Sequence, residues 1–203
     1  MELVLIRHFQ TPGNGKGQYI GSTDEPLDET KIPGPAADYP KVDQLAVSPM
    51  KRCIQTAGII YPGVEGRVCP LLREIDFGEY ERRTYEELKN EPAYQRWIDS
   101  GGLGAFPGGE DRRVFQERCM QGMEELMAYL IKQKCKRAAA VVHGGTIMAV
   151  MSAYGPKDKS FYHWQVKNGD GYLTEIDERE WIAGRRMFQN IRSLWQTKES
   201  EER

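Results

Sequence analysis

The sequence predicts an α/β domain, a three-layer sandwich with a mostly parallel central sheet flanked by helices. Three observations point there. Short apolar runs recur along the chain, at ELVLI (2–6), LAVS (45–48), RVC (67–69) and RAAAVV (137–142). Segments with helical spacing of apolar residues separate them. Strands alternating with helices pack as a sheet covered on both faces, whose strands then read as continuous apolar runs.

Residues 2–6 make a buried strand. Between 11 and 44 the chain is crowded with Gly, Pro, Asp and Thr, and Pro33, Pro35 and Pro40 exclude a long helix. LAVS at 45–48 is a second strand. Pro49 then stands near the start of a helix over 50–61, where its missing N–H does no harm. A third strand lies near 67–69, followed by irregular chain, LREIDFGEYE, and by helical pieces over 84–98 broken near Pro92. The clearest helix runs from FPGGED to Gln133. Val114, Phe115, Met120, Met123, Leu126, Met127 and Leu130 form its apolar stripe, interrupted by the charge of Arg118. A fourth strand (137–143), a helix (144–155), a fifth strand (171–177) and a sixth near 185–191 complete the series. KESEER is a frayed tail near 197–203. No linker or repeat divides residues 1–203, so one domain is expected.

The composition excludes several functions. Net charge is −2 over 203 residues, without the basic excess of a nucleic-acid binder. No run of 18 apolar residues occurs, and MELVLI is too short for a signal peptide, so a cytoplasmic protein off the membrane is expected. Cys53, Cys69, Cys119 and Cys135 show no CxxC pairing and read as reduced thiols.

In such folds ligands gather at the carboxyl ends of the strands. His8 follows VLIR and His143 follows AAAVV, so two histidines stand in the same relation to two strands. His163 lacks that setting and reads as a packed or capping residue. No HExxH-like spacing accompanies the pair, and an adjacent arginine would repel a divalent cation; no metal or cofactor is expected. Arg7 and Arg52 suggest an anion, because the guanidinium fork matches phosphate oxygens two at a time. At ~4 Å and an effective dielectric of ~20, each would contribute about 4 kcal/mol of raw attraction per phosphate charge. GNGKG (13–17) is not a P-loop, since the residue after Lys16 is glycine.

LIRHFQTPGN resembles the RHG(E)T…N signature of the histidine phosphatase (phosphoglycerate mutase-like) superfamily. YIGSTDEPLDE, SPMKRCIQTA, LREIDFGEYE and VVHGGTIMAV resemble further segments of that family, in its order. GGEDRRVFQERC and HWQVKNGDGYLTEID are similar to its α-ribazole phosphatase and broad-specificity phosphatase branch. The resemblance implies a phosphoglycerate mutase-like fold and a metal-independent phosphomonoesterase acting on a small phosphorylated metabolite, α-ribazole 5'-phosphate among the candidates. By position His8 is the nucleophile. Arg7, Arg52 and His143 hold the phosphoryl oxygens, assisted by Asn14 and by backbone near Gly21 and Gly144. Glu74 is the general acid and then base, with Glu79 and Glu81 as nearby competitors. A phosphoglycerate mutase-type transferase and a catalytically weak phosphate-binding module are the alternative readings.

Three departures from the family pattern carry expectations. Phe9 replaces the glycine after the histidine, which predicts backbone strain if that position needs φ > 0. KIPGPAADYPKV cannot form the family's helix, leaving a gap for the C-terminal segment around Trp195 or a second copy of the chain to fill. Arg82 replaces another glycine and, with Arg83, is expected to add positive charge near the pocket.

Overall fold

Six strands form one sheet at the centre of the computed structural model, whose described residues are 1–32 and 39–194. β1 (Glu2–Arg7), β2 (Gln44–Val47), β3 (Gly66–Val68), β4 (Arg137–Val142), β5 (Gly171–Glu175) and β6 (Gln189–Ser193) lie in the order β3-β2-β4-β1-β5-β6. The first four in that order are mutually parallel, and β5 and β6 are added antiparallel at the β1 edge.

Leu3, Val4, Leu5 and Ile6 are all fully buried, because both faces of the sheet are covered. Side chains alternate across a strand. Leu3 and Leu5 therefore join Ala138 and Ala140 in a core on one face, while Val4 and Ile6 join Ala139 and Val141 on the other. Each buried aliphatic side chain contributes ~1.5–3 kcal/mol relative to exposure. The first core is closed by α5 (Arg112–Lys132) and α6 (Gly144–Tyr154), the second by α2 (Lys51–Ile60) through Cys53, Ala57 and Ile60. This is the three-layer arrangement predicted. The shorter helices are α1 (Pro12–Gly15), α3 (Tyr85–Leu88), α4 (Pro92–Asp99) and α7 (Glu178–Ile182).

Some details differ from expectation. α5 starts at Arg112, with Asp111 outside it as the cap that accepts from the Arg113 N–H at 2.8 Å. Its buried face is Phe115, Cys119, Gly122, Met123, Leu126, Met127 and Leu130, whereas Val114 and Met120 point outward. Cys119 sits one turn from Phe115 and Met123, so it takes the position assigned to Met120. The last strand covers 189–193 instead of 185–191, because α7 and its following turn occupy the preceding chain. α7 was not predicted. Asp177 starts it by accepting from the Arg179 and Glu180 N–H groups.

All four cysteines are buried free thiols. Among the described residues no helix is long and apolar enough to cross a membrane. The expected gap in cover falls on residues 33–38, and Trp195 and the 197–203 tail belong to the C-terminal stretch; these lie outside the described residues.

Candidate active site

The β1–β4 ladder places Arg7 opposite Val142, so His8 and His143 are each the first residue past the end of a paired strand. The His8 N–H extends the ladder by one bond, to the Val142 carbonyl at 3.0 Å. Their rings meet edge to face, with centroids 5.3 Å apart. Both are buried: His8 is 3 % exposed and His143 0 %.

The proton on each ring is fixed by its partners. His8 Nδ1 lies 2.6 Å from the Phe9 carbonyl, which can only accept, so Nδ1 carries the hydrogen and Nε2 keeps its lone pair. Burial, then Arg52 and Arg7, hold the His8 pKa well below the ordinary imidazole value. At His143 the Arg52 Nε–H donates to Nδ1 at 3.2 Å, so the hydrogen is on Nε2, which donates to Ser48 Oγ at 2.6 Å. Burial and Arg52 likewise depress the His143 pKa well below its usual value. In this arrangement His143 orients Arg52 and offers no N–H to an anion itself.

Arg52 is fully buried, and its two Nη groups are held by backbone carbonyls. Nη1 donates to the Thr23 carbonyl at 2.7 Å and Nη2 to the Gly21 carbonyl at 2.8 Å. Arg7 Nη1 donates to the Val166 carbonyl at 2.7 Å, while its Nε is buried with no partner. Burial, the largest influence, disfavours the charged form of Arg7. Among the described residues neither arginine forms an ion pair. Two cations withdrawn from water with no carboxylate in direct contact make a site that favours an anion.

Three carboxylates competed for the acid's role, and their surroundings separate them. Glu74 is 9 % exposed, accepts from the Gly145 N–H at 2.9 Å and its neighbour Ile75's N–H at 3.0 Å, and lines the cavity. Burial raises its pKa above the ordinary carboxylate value against the pull of those bonds and both arginines. Glu81 instead accepts from four backbone N–H groups, of Gly21, Ser22, Thr23 and Phe77. It is the anchor of the 21–23 loop whose carbonyls hold Arg52. Glu79 is exposed and does not line the cavity.

Gly21 consequently has both backbone groups engaged, its N–H by Glu81 and its carbonyl by Arg52. Gly144 opens α6 beside Arg7, and Asn14 lines the cavity with its Oδ1 accepting from Asn168 Nδ2 at 3.2 Å. Phe9 carries no left-handed backbone; among the described residues the non-glycine positions with positive φ are Arg82, Lys134 and Asn190. Its N–H donates to Thr56 Oγ1 and its ring is buried against Tyr39, so the expected strain is absent. Arg83 is paired with Glu91, and neither it nor Arg82 lines the cavity, so the expected extra charge there is absent too.

A cavity of about 600 Å³ opens from Arg7, Asn14, Glu74 and Gly144 into a chamber walled by Tyr19, Phe77, Trp97, Phe106, Phe161 and Tyr162. His8, Arg52 and His143 do not line it themselves. Their chain neighbours Arg7 and Gly144 do. Arg112 stacks on the Phe161 ring, 4.0 Å from its centroid.

A sheet whose adjacent parallel strands present two neutral histidines beside one buried and one half-buried arginine defines a phosphoryl-handling enzyme. The model of the histidine phosphatase superfamily (branch 1) matches residues 3–187, and the chain belongs to that family. It is 27 % identical to the adenosylcobalamin/alpha-ribazole phosphatase of Salmonella typhimurium, over 96 % of this chain and 98 % of that one. It is 25 % identical to phosphoserine phosphatase 1 of Hydrogenobacter thermophilus, over 88 % of each. Among solved structures, the alpha-ribazole phosphatase from Shigella flexneri superposes with a TM-score of 0.76 at 26 % identity, covering 87 % of this chain and 91 % of that one. A phosphoglycerate mutase from Thermus thermophilus gives 0.66 at 30 % identity, with 86 % and 93 % covered. The protein is thus a phosphatase, a phosphoric monoester hydrolase of the histidine type.

Sequence reasoning missed Ser48, Thr56, Asn168 and Arg118. All four sit inside stretches that carried the resemblance, and for the first three their hydroxyl and amide groups were the available signal. Arg118 showed only as a charge in an apolar stripe.

Proposed function

We propose that the protein hydrolyses small-molecule phosphate esters through a phosphohistidine at His8, with the arginines supplying the positive charge. The supporting observation is the locked tautomer: the bond from Nδ1 to the Phe9 carbonyl leaves Nε2 as a lone pair beside Arg7 and Arg52. Nε2 attacks phosphorus and the bond to the ester oxygen breaks. Arg7, Arg52 and the free end of α6 at Gly144 stabilise charge on the equatorial oxygens. Protonated Glu74 gives its proton to the leaving oxygen, since an alkoxide is a poor leaving group. As a carboxylate it then takes a proton from water, whose oxygen attacks phosphorus, breaks the P–N bond and restores neutral His8.

The chamber beyond Glu74 favours an alcohol with a flat ring, because its aromatic walls offer stacking faces. An α-ribazole phosphate has this shape, and it is the substrate we favour. Rapid quenching in base during turnover should trap an acid-labile phosphoryl group on His8, with activity unchanged by EDTA. Release of phosphate from His8→Ala at more than ~0.1 % of the wild-type rate, or loss of activity in EDTA, would overturn the reading.

A further inference from the structure

We propose that Arg118, held by Glu110, is a positioning residue for Glu74, fixing the backbone from which the acid reaches the leaving oxygen. The inference rests on the role given to Glu74 above.

The chain around Glu74 has no regular structure of its own; a single 3₁₀ turn ends at Leu72 and the next begins at Gly78. The groups that hold it come from α5 and α6. Arg118 Nη1 donates to the carbonyls of Leu71 at 2.7 Å and Arg73 at 3.0 Å, and Nη2 to the carbonyl of Glu74 itself at 3.3 Å. The other edge of the fork meets Glu110: Nε to Oε1 at 2.9 Å and Nη2 to Oε2 at 2.7 Å. A guanidinium has five N–H groups. Here these meet five acceptors, and both side chains are only 11 % exposed. Thr146 Oγ1 adds weaker bonds, at 3.3 and 3.4 Å, to the Leu72 and Arg73 carbonyls.

This geometry has a direction. Glu110 holds the plane of the fork, the fork sets three carbonyls, and the last of them belongs to the residue carrying the acid. Lysine, with three donors on a tetrahedral nitrogen, cannot serve the same acceptors. A shift of ~1 Å in a catalytic group costs about 10²-fold, and a general acid contributes ~10²–10⁴-fold. Loosening the clamp should therefore act on the step that needs the proton. p-Nitrophenolate leaves without one, whereas an alkyl alkoxide does not.

The test compares kcat/KM for glycerol phosphate with kcat/KM for p-nitrophenyl phosphate in Arg118→Lys, Arg118→Gln and Glu110→Gln. The alkyl-to-aryl ratio should fall at least ~20-fold in both Arg118 variants, and less in Glu110→Gln. A structural role alone would lower both values together and leave the ratio unchanged. An unchanged ratio in the variants that fold would overturn the proposal, provided that Glu74→Gln lowers it. If Glu74→Gln leaves the ratio unchanged, the assignment of the acid fails instead. Should Arg118→Gln not fold, Arg118→Lys and Glu110→Gln still decide.

Discussion

The Arg52 guanidinium donates its Nε–H to Nδ1 of His143 at 3.2 Å, so a fully buried cation and a fully buried imidazole fix one another. The bond keeps His143 neutral and holds the arginine fork against the 21–23 loop. That loop in turn has its N–H groups on Glu81 and its carbonyls on Arg52. A chain of contacts thus runs from an anchoring carboxylate to the ring that meets His8.

One consequence concerns anion binding. Inorganic phosphate at ~100 times its Kd should stabilise the fold by ~2.7 kcal/mol, measured by thermal denaturation. In Arg7→Met most of that gain should vanish, while stability without phosphate changes little, because the burial that disfavours the Arg7 charge is relieved. A phosphate effect equal in the two proteins would contradict this.

A second concerns acid. The folded-state pKa of His8 and His143 lies below the unfolded value, so the unfolded chain binds more protons below pH ~6.5. Stability should be complete above that pH and fall as pH drops toward the folded values, by at most ~1.4 kcal/mol per pH unit for each ring. Glu74, with its pKa raised, acts oppositely: its contribution is complete below its unfolded pKa and is lost as pH rises through its folded one. Unfolding in denaturant between pH 5 and 7 should show a flatter slope in His8→Asn and a steeper one in Glu74→Gln.

A third separates the two carboxylates. Glu81→Gln should cost ~1.5–3 kcal/mol of stability through weakened bonds to its backbone donors, and should lower kcat/KM equally for aryl and alkyl phosphates. Gly145→Ala puts a methyl group into Glu74 Oε1. It should lower alkyl phosphate turnover by ~10²-fold with the aryl ester far less affected.

The parts of this site legible in the sequence are those a single strand or short segment delivers. His8 and His143 stood out because each ends an apolar run, and strand ends in such sheets face one crevice. Glu74 could not be separated from Glu81 by composition, since both are carboxylates in one irregular stretch. What separates them is tertiary: Glu81 meets amides from the 21–23 loop, and Glu74 is enclosed by α6. Arg118 was hidden for the same reason, three of its five acceptors being carbonyls more than 40 residues away. α7 escaped notice because so short a helix carries too few residues to show a period, leaving only its Asp177 cap and acidic first turn as local signals.

In the sheet, β1 lies between β4 and β5. During synthesis β1 therefore has neither of its neighbours in the sheet until residue 137 and beyond have emerged. Such non-local pairing is slow to form. Until β4 has been made the ELVLI segment lacks its parallel neighbour, and His8 acquires its neighbouring ring only when β4 inserts beside it. Ribosome-bound chains halted before that point should be chaperone clients with no hold on phosphate.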